Sequence, residues 1–447
     1  MRSMSESNEG HRIYAFAERL FPIARSITGE GVRETLKLID SEIAETGYKL
    51  NVLEIPTGTQ VFDWTVPKEW KIRDAYIENE AGEKIIDFRK NNLHVLGYST
   101  PVDEWVDRED LLKHVYTQED QPDAIPYVTS YYRERYGFCM SENMKNSLPE
   151  GKYHMYVDSE LFDGSLSIGE LVIPATEFSA TESSSKEDEA EEILISTYTC
   201  HPSMANNECS GPALSAALIR YVASLSKRRF SYRFVFNPET IGSITYLSLK
   251  INELKKKVRA GFVLSCVGDD RDYSFIPSRY SDTLADEVIE NVMKSRPKHT
   301  KYTFLDRGSD ERQYCSPGVD LPVVGVCRSK YGCYPEYHTS KDDMTLVSEN
   351  GFQGSFDMMC EVIDALEYNR KYRTTVFCEP QLGKRGLYPT ISKKGSYDSV
   401  LAMRDLIAYS DGRNTLVEIS ELIKVPVKEL IPIVDKLLEN GLLETVE

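Results

Sequence analysis

Two hydrophobic periodicities alternate along the chain. From residue 11 to 47, in "IYAFAERLFPIARSITGEGVRETLKLIDSEIAE", apolar residues recur at helical spacing, and Leu36, Leu38 and Ile39 continue one stripe. This predicts two amphipathic helices separated by a turn at Thr28-Gly29. From about 60 to 170 the texture changes to short alternating runs rich in Val, Ile, Tyr and Trp, cut by Pro, Gly and Asp. "VFDWTVPKEWKIRDAYIEN", "KIIDFRKNNLHVLGYS" and "KYHMYVDSELFDGSLSIGELVIP" are its main pieces. They predict strands of an antiparallel β unit. "TESSSKEDEAEE" (181–192) is polar and acidic, and reads as a surface excursion.

From 193 to about 345, apolar β-branched runs alternate with helical patterns. The strands are "ILISTYTC", "SYRFVFNP", "AGFVLSCVG" and "LPVVGVCRS"; the helices between them include "GPALSAALIRYVASLS", "GSITYLSLKINELKKKV" and "SDTLADEVIENVMK". Continuous apolar strands followed by helices predict a doubly wound, mainly parallel α/β sheet covered on both faces. Residues 347 to 372 read as a closing helix. The tail, "NTLVEISELIKVPVKELIPIVDKLLENGLLETVE", gives helix, turn, helix and a short strand after Gly441, which is winged-helix texture. The pattern divides the chain into an α/β core (1–58 and 171–375), an inserted β domain (59–170) and a winged-helix domain (376–447).

Composition narrows the function classes. At 447 residues the chain exceeds one compact core, and 41% hydrophobic content with 10% aromatic is that of a globular protein. A net charge of −18 argues against a nucleic-acid partner, which needs a basic footprint. The second helix of the winged motif sets Glu429, Asp435 and Glu439 against Lys428 and Lys436, so it has no basic face. A protein contact or homo-oligomer formed through this domain or the β domain fits better. No apolar run approaches a membrane span, and no secretory h-region opens the chain. The nine cysteines are scattered without a Cys-x-x-Cys pair, which predicts reduced thiols and a cytoplasmic location.

Polar groups collect where the predicted strands end, the place where such sheets bind ligands. His201 follows "ILISTYTC", with Asn207, Glu208 and Ser210-Gly211 close behind. Glu239 follows "SYRFVFNP". Asp310 and Glu311 lie in "DRGSDERQY", and His338 in "YPEYHTSKDD". Two imidazoles and a glutamate on separate strand ends suit zinc, which takes nitrogen and carboxylate oxygen and keeps one position open for water. Tyr127, Tyr131, Tyr132 and Tyr136 either line the pocket or fill a β core. Asp342 and Asp343 read as caps at loop starts, although Asp342, Glu208 and Asp310 are also candidates to hold a substrate's α-amino group.

"GSDERQYCSPGVDLPVVGVCRSKYGCYPEYHTSKDDM", "CHPSMANNECSG" and "PETIGS" together resemble the motifs of bacterial zinc aminopeptidases and glutaminyl cyclases. The resemblance implies that His201 and His338 are zinc ligands, that Asp310 and Tyr337 border the substrate pocket with Glu311, and that Glu239 is the general base or a ligand. "VFDWTVPKEW", "SYYRERYGFC", "DSELFDGSLSIGE" and "GKRGLYPTI" are similar to segments of a group of bacterial aminopeptidase-like proteins. These carry an inserted β domain and a C-terminal winged helix, and the similarity spans nearly the whole chain. Three departures stand out. Asn207 occupies the place of the aspartate that bridges two metals, Thr240 that of a metal-binding glutamate, and Ser265 that of a third carboxylate.

A neutral amide cannot neutralise two dications, so one zinc held by His201, Asn207, Glu239 and His338 is expected rather than two. Glu208 and Asp310 stand behind Glu239 as alternative catalytic carboxylates, and Arg25 is a candidate for a substrate carboxylate. The implied activity is zinc-dependent, aminopeptidase-like hydrolysis of an amide in a small peptide or aminoacyl substrate. The alternatives are an amide hydrolase or acyl transferase on a non-peptide substrate such as an amino sugar, and a metal-free binding scaffold.

Overall fold

The computed structural model describes residues 9–177, 190–387 and 398–446. Residues 181–189 of the acidic excursion, and the part of the "GKRGLYPTI" segment from 388, lie outside the described residues. Two compact units result, one from Met1–Ser281 with Thr300–Phe356, the other from Asp282–His299 with Asp357–Glu447.

The first unit is built on an eight-stranded sheet. Its strands in chain order are β1 (Asn51–Pro56), β2 (Ser165–Ile173), β3 (Glu192–Tyr198), β4 (Ser231–Asn237), β5 (Val258–Leu264), β6 (Ser274–Ile276), β7 (Thr300–Lys301) and β8 (Val323–Cys327). They lie side by side in the order β1-β2-β4-β3-β5-β8-β6-β7. The central four, β4, β3, β5 and β8, are parallel; β1 and β2 on one side, and β6 against β8 on the other, are antiparallel. Every residue of β3 and β4 is buried, as a strand covered on both faces requires.

Side chains at adjacent strand positions point to opposite faces. Gly169 faces the helix Glu30–Glu42 so closely that a Cβ there would stand 2.7 Å from Leu36. Glu170, on the other face, hydrogen-bonds Tyr246 of the helix Ile241–Lys257. Helices therefore cover both faces, as the doubly wound pattern predicts. One strand is assigned differently by its pattern: the run containing Ser165–Ile173 reads as part of the β insertion, yet it joins the main sheet as β2. The reason is two-sided burial, since Leu166 to Leu171 are all buried. Likewise Glu192, read as the end of the acidic excursion, opens β3 and is 2% exposed.

The insertion forms a separate antiparallel sheet in the order Lys84–Asp87, Glu69–Asn79, Lys152–Phe162, Val102–Asp107. Ala75, Ile77, Tyr153, Met155 and Val157 form its buried face. The opposite face carries Tyr76 stacked on Tyr156 and Trp105 stacked on His154 at 5.0 Å. His154 Nε2 lies 2.7 Å from Asp103 and Nδ1 3.1 Å from Glu78. Burial lowers the His154 pKa, but these two carboxylates outweigh it and the net shift is upward. A raised pKa stabilises the fold below the unfolded value near 6.5, and that stabilisation is lost as pH rises through the folded value. The stability difference between wild type and His154→Gln is therefore expected to be about 1 kcal/mol or less near pH 6 and to shrink toward pH 9. Thermal unfolding across that range checks it.

In the second unit a three-stranded antiparallel sheet has Lys371–Thr374 at its centre, between Asp411–Thr415 and Leu443–Val446. Helices Asp398–Tyr409, Leu416–Ile423 and Val427–Glu439 pack with it. Thr415 and Glu418 close a reciprocal capping box at the start of the second of these. Among the described residues no helix is long and apolar enough to cross a membrane.

Candidate metal centre

The carboxyl end of β3 leads through Thr199 and Cys200 to His201, which is 5% exposed. The chain then makes one π-helical turn, Ala205–Cys209, that continues into the helix Ser210–Ser224. Asp342 sits at the amino end of this turn. It accepts hydrogen bonds from the backbone N–H of Asn206 (2.6 Å) and Asn207 (3.0 Å) and from the Tyr334 hydroxyl (2.9 Å), satisfying donors that a helix start leaves open. Burial pushes its carboxyl up to about 7 against those bonds. Asp343 accepts from Thr345 N–H at 2.8 Å in the next turn of chain. Asp343 thus caps its own loop, and Asp342 caps a turn 135 residues away in the chain.

His201 is fixed from behind. Its Nδ1 lies 2.9 Å from Glu208 Oε2 and 3.3 Å from Cys200 Sγ. Glu208 in turn stands 3.3 Å from the Arg25 Nε, and the Arg25 guanidinium also donates to His201 O (3.0 Å), Leu20 O (2.8 Å) and Cys209 Sγ (3.3 Å). Arg25 is 3% exposed and all its named partners are interior, so the structure places it as a brace rather than at a substrate. With Nδ1–H donated to Glu208, Nε2 keeps its lone pair and points at the Glu239 Oε2, 3.6 Å away. A carboxylate behind a histidine in this way sets the tautomer and orientation of a metal ligand. Burial, and after it the Arg25 charge, lowers the His201 pKa to about 3, which keeps the ring neutral. Burial pushes the Glu208 carboxyl up to about 8, Arg25 opposing.

His338 faces His201 with ring centroids 5.4 Å apart. It has a left-handed backbone (φ 58), held by its carbonyl accepting from Tyr127 N–H at 2.9 Å and by Tyr337 stacked on the ring at 3.9 Å. Tyr337 thus supports His338. Burial, then His201, lowers the His338 pKa to about 3. Its Nε2 is buried without a hydrogen-bond partner, and so is Asn207 Oδ1. An unpartnered imidazole nitrogen on one of two facing neutral histidines is an arrangement that suits a cation. Cys200, His201 and Glu208 bring three further ligand-type atoms within 4.8 Å of one another. The Arg25 guanidinium already occupies that side, so the Nε2 side of His201 is the better place for a dication.

Two of the three neutral residues noted in the sequence, Asn207 and Ser265, share a network. Asn207 Nδ2 donates to the Tyr198 hydroxyl (2.6 Å), which pairs with Ser265 Oγ (2.7 Å). Tyr198 thus links two positions where a two-metal site needs carboxylates, in uncharged hydrogen bonds.

Glu239 follows Pro238 at the end of β4. Its N–H donates to Cys200 Sγ at 3.2 Å, and the next residue, Thr240, has φ 64 and ψ −76, a strained conformation for a β-branched residue. Asp310, fully buried, holds this bend: it accepts from Thr240 N–H (2.8 Å), Ser243 Oγ (2.7 Å) and Asn237 Nδ2 (2.9 Å). Asp310 is placed as a clamp behind the bend, not on the cavity wall. Burial, with Asp310 adding repulsion, pushes the Glu239 carboxyl up to about 8. Glu311 Oε1 accepts from Gly308 and Ser309 N–H and the Tyr331 hydroxyl, again away from the cavity.

His201, Glu239 and His338 open on one cavity of about 290 Å³, walled also by Trp64, Tyr127, Tyr131 and Tyr132. Of the four tyrosines in "YVTSYYRERYGFC", the first three line it, whereas Tyr136 stacks on His114. Trp64, Cys200 and Tyr198 are functional neighbours that sequence reasoning passes over. Cys200 sits directly before His201, and Trp64 is in the aromatic run that opens the insertion, but neither bears a spacing signal.

A family model described as a domain of unknown function (DUF4910) matches residues 14–369. The chain belongs to the DUF4910 family. A winged helix-turn-helix model matches residues 370–445. A Clostridium acetobutylicum protein, named as a candidate polysaccharide biosynthesis protein with an aminopeptidase-like domain, is 42% identical over 93% of this chain and 92% of its own length. A solved structure of a candidate peptidase from C. acetobutylicum superposes with a TM-score of 0.88 at 40% identity, covering 99% of this chain and 98% of that one. A zinc aminopeptidase from Bacillus subtilis aligns with a TM-score of 0.56 at 12% identity, over 80% of this chain and 93% of that one. This DUF4910 protein therefore has the aminopeptidase fold with an added winged helix, and a peptidase-like hydrolase is the enzyme class its relatives support.

Proposed function

We propose that the protein is a zinc-dependent amide hydrolase using one metal ion, held by His201, His338 and Asn207, with Glu239 as the general base. The observation that carries this reading is that His201, Glu239 and His338 open on one cavity, with His338 Nε2 buried without a hydrogen-bond partner and His201 Nε2 3.6 Å from Glu239. Bound there, zinc would polarise the scissile carbonyl and acidify a water. Glu239, with Oε2 facing His201, would take that water's proton and pass it to the leaving amine. Its raised pKa suits this exchange near neutral pH. Glu208 and Arg25 hold His201 in place, Asp310 holds the Glu239 bend, and the aromatic wall excludes water around the amide.

One zinc rather than two is favoured by the uncharged Asn207–Tyr198–Ser265 chain, which offers no shared anion. Elemental analysis of protein purified without chelator is expected to find about one zinc per chain, and none in the His201→Ala, His338→Ala variant. Two zinc ions per chain, or none in wild type, would sink this reading. The name of the C. acetobutylicum relative joins polysaccharide biosynthesis to an aminopeptidase-like domain, so a saccharide-derived amide stands beside a peptide as the substrate to test. The winged helix is assigned to a protein contact, because its second helix sets Glu429, Asp435 and Glu439 against Lys428 and Lys436, with Lys428 paired to Glu361.

A further inference from the structure

We infer that the substrate is a neutral N-acylated amine, with no free ammonium group near the scissile bond. This rests on the amide-hydrolase reading above and names its substrate class. An enzyme that removes a free N-terminal residue must hold an ammonium ion, since the α-amino group is largely protonated at neutral pH. A desolvated cation needs a fixed anionic partner. Among the described residues that line the cavity, Glu239 is the sole carboxylate, and it is the base.

The other carboxylates nearby stand off the cavity lining, with Glu208 Oε1 and Glu311 Oε2 buried without a hydrogen-bond partner. Glu208 serves His201 and Arg25. Asp310 serves Asn237, Thr240 and Ser243. Asp342 serves Asn206, Asn207 and Tyr334. Glu311 holds the 308–309 backbone and Tyr331 through one oxygen, and its other oxygen lies against Gly325 within the sheet. The charges acting on Glu239 are mixed, with Asp310 and Glu311 opposed by Arg312, and a bound dication would repel an ammonium beside it.

What the cavity offers instead is a neutral, partly apolar wall. Trp64 and Tyr132 meet at 5.9 Å between ring centroids, Tyr132 stands edge-on to Tyr131, and the Tyr127 and Tyr131 hydroxyls pair at 2.7 Å. Tyr132 is 69% exposed, so this wall reaches the mouth. Aromatic faces with a few hydroxyls suit an acyl group or a sugar ring with one apolar face. A cation–π contact with the same rings is weaker than the ion pair it would replace. All four aromatics come from the inserted segment, which makes it the specificity wall.

The test compares two ligands with one metal-binding group, leucine hydroxamate and N-acetyl-leucine hydroxamate, titrated calorimetrically into the full-length zinc-loaded protein at pH 7. The acetylated ligand is expected to bind at least ~10-fold more tightly. Leucine hydroxamate should gain affinity as pH rises through its α-amino pKa of about 7.7–8.0, when its neutral form takes over. Trp64→Ala should weaken the acetylated ligand by roughly 3-fold or more while zinc content stays at the wild-type value. Equal or tighter binding of the cationic ligand overturns the inference and leaves the metal site standing. Binding of neither ligand overturns the amide-hydrolase reading, and the inference falls with it. Substituting N-acetylglucosamine for the acyl amino acid, as a competitor of the acetylated hydroxamate, distinguishes a sugar from a peptide source of the neutral amide.

Discussion

Replacing Glu239 with Gln is expected to lower kcat/KM by about 10²–10⁴-fold, the range that a positioned general base contributes. Gln keeps the shape of the side chain and an oxygen facing His201, but it cannot take a proton. The zinc content of the same variant separates two roles for this residue. If Glu239 is the base, zinc stays at the wild-type stoichiometry while turnover falls. If it is a ligand, zinc is lost with the activity. The pH profile adds an independent readout. The base works only as a carboxylate, so the wild-type rate rises with pH through its deprotonation. Burial and Asp310 push the Glu239 carboxyl up to about 8, and a bound dication pulls it down from there. The acidic limb should therefore have its midpoint below about 8, and Glu239→Gln should lack it. An unchanged limb in that variant would assign the proton transfer to another group.

Arg233→Ala is expected to destabilise the first unit by about 3–5 kcal/mol, the cost of removing one partner from a buried ionic cluster. Arg233 is 3% exposed on β4. Its Nε and Nη2 engage both oxygens of Glu192 at 2.6 and 3.0 Å, Nη2 reaches Glu253 at 2.5 Å, and Nη1 pairs with Glu170 and with the Tyr246 hydroxyl at 3.1 Å. These residues come from β2, β3, β4 and the helix Ile241–Lys257, so the cluster pins three neighbouring strands to one helix. Alanine leaves Glu170 and Glu192 buried, with Lys257 3.6 Å from Glu192 and Lys250 4.0 Å from Glu170 as the remaining cations. Glu192 opens β3, while His201 and Glu239 follow the opposite ends of β3 and β4. Denaturant unfolding should accordingly show a lowered midpoint, with zinc bound at the wild-type ratio in native conditions. A loss below about 1 kcal/mol would mean that the cluster is hydrated.

The sequence by itself determined the architecture. Two-sided apolar strands alternating with helical stripes leave a covered, mainly parallel sheet as the stable solution, and strand-end ligand positions follow from that sheet. His201, Glu239 and His338 were legible for this reason: each falls just after a strand or in a loop beyond one. The tail was equally legible, because helix, turn, helix and strand with a central glycine is a local pattern. What local patterns cannot carry is which side of a carboxylate faces the ligand. Asp310, Glu311, Asp342 and Glu208 stand close to site residues in the chain, and only tertiary packing shows them turned toward backbone N–H groups, Tyr331 or Arg25. Arg25 reads as a candidate for a substrate carboxylate until three-dimensional contacts bring it behind His201, 176 residues away in sequence. The strand Ser165–Ile173 alternates well enough to pass for part of the insertion, and its place beside β4 was decided by burial on its second face. Hydrophobic period is set by neighbours along the chain and survives in the sequence. The direction of a buried charge is set by partners that stand 20 residues away in the chain for Glu311 and Tyr331 and 176 for Arg25 and His201, and only the folded structure brings them together.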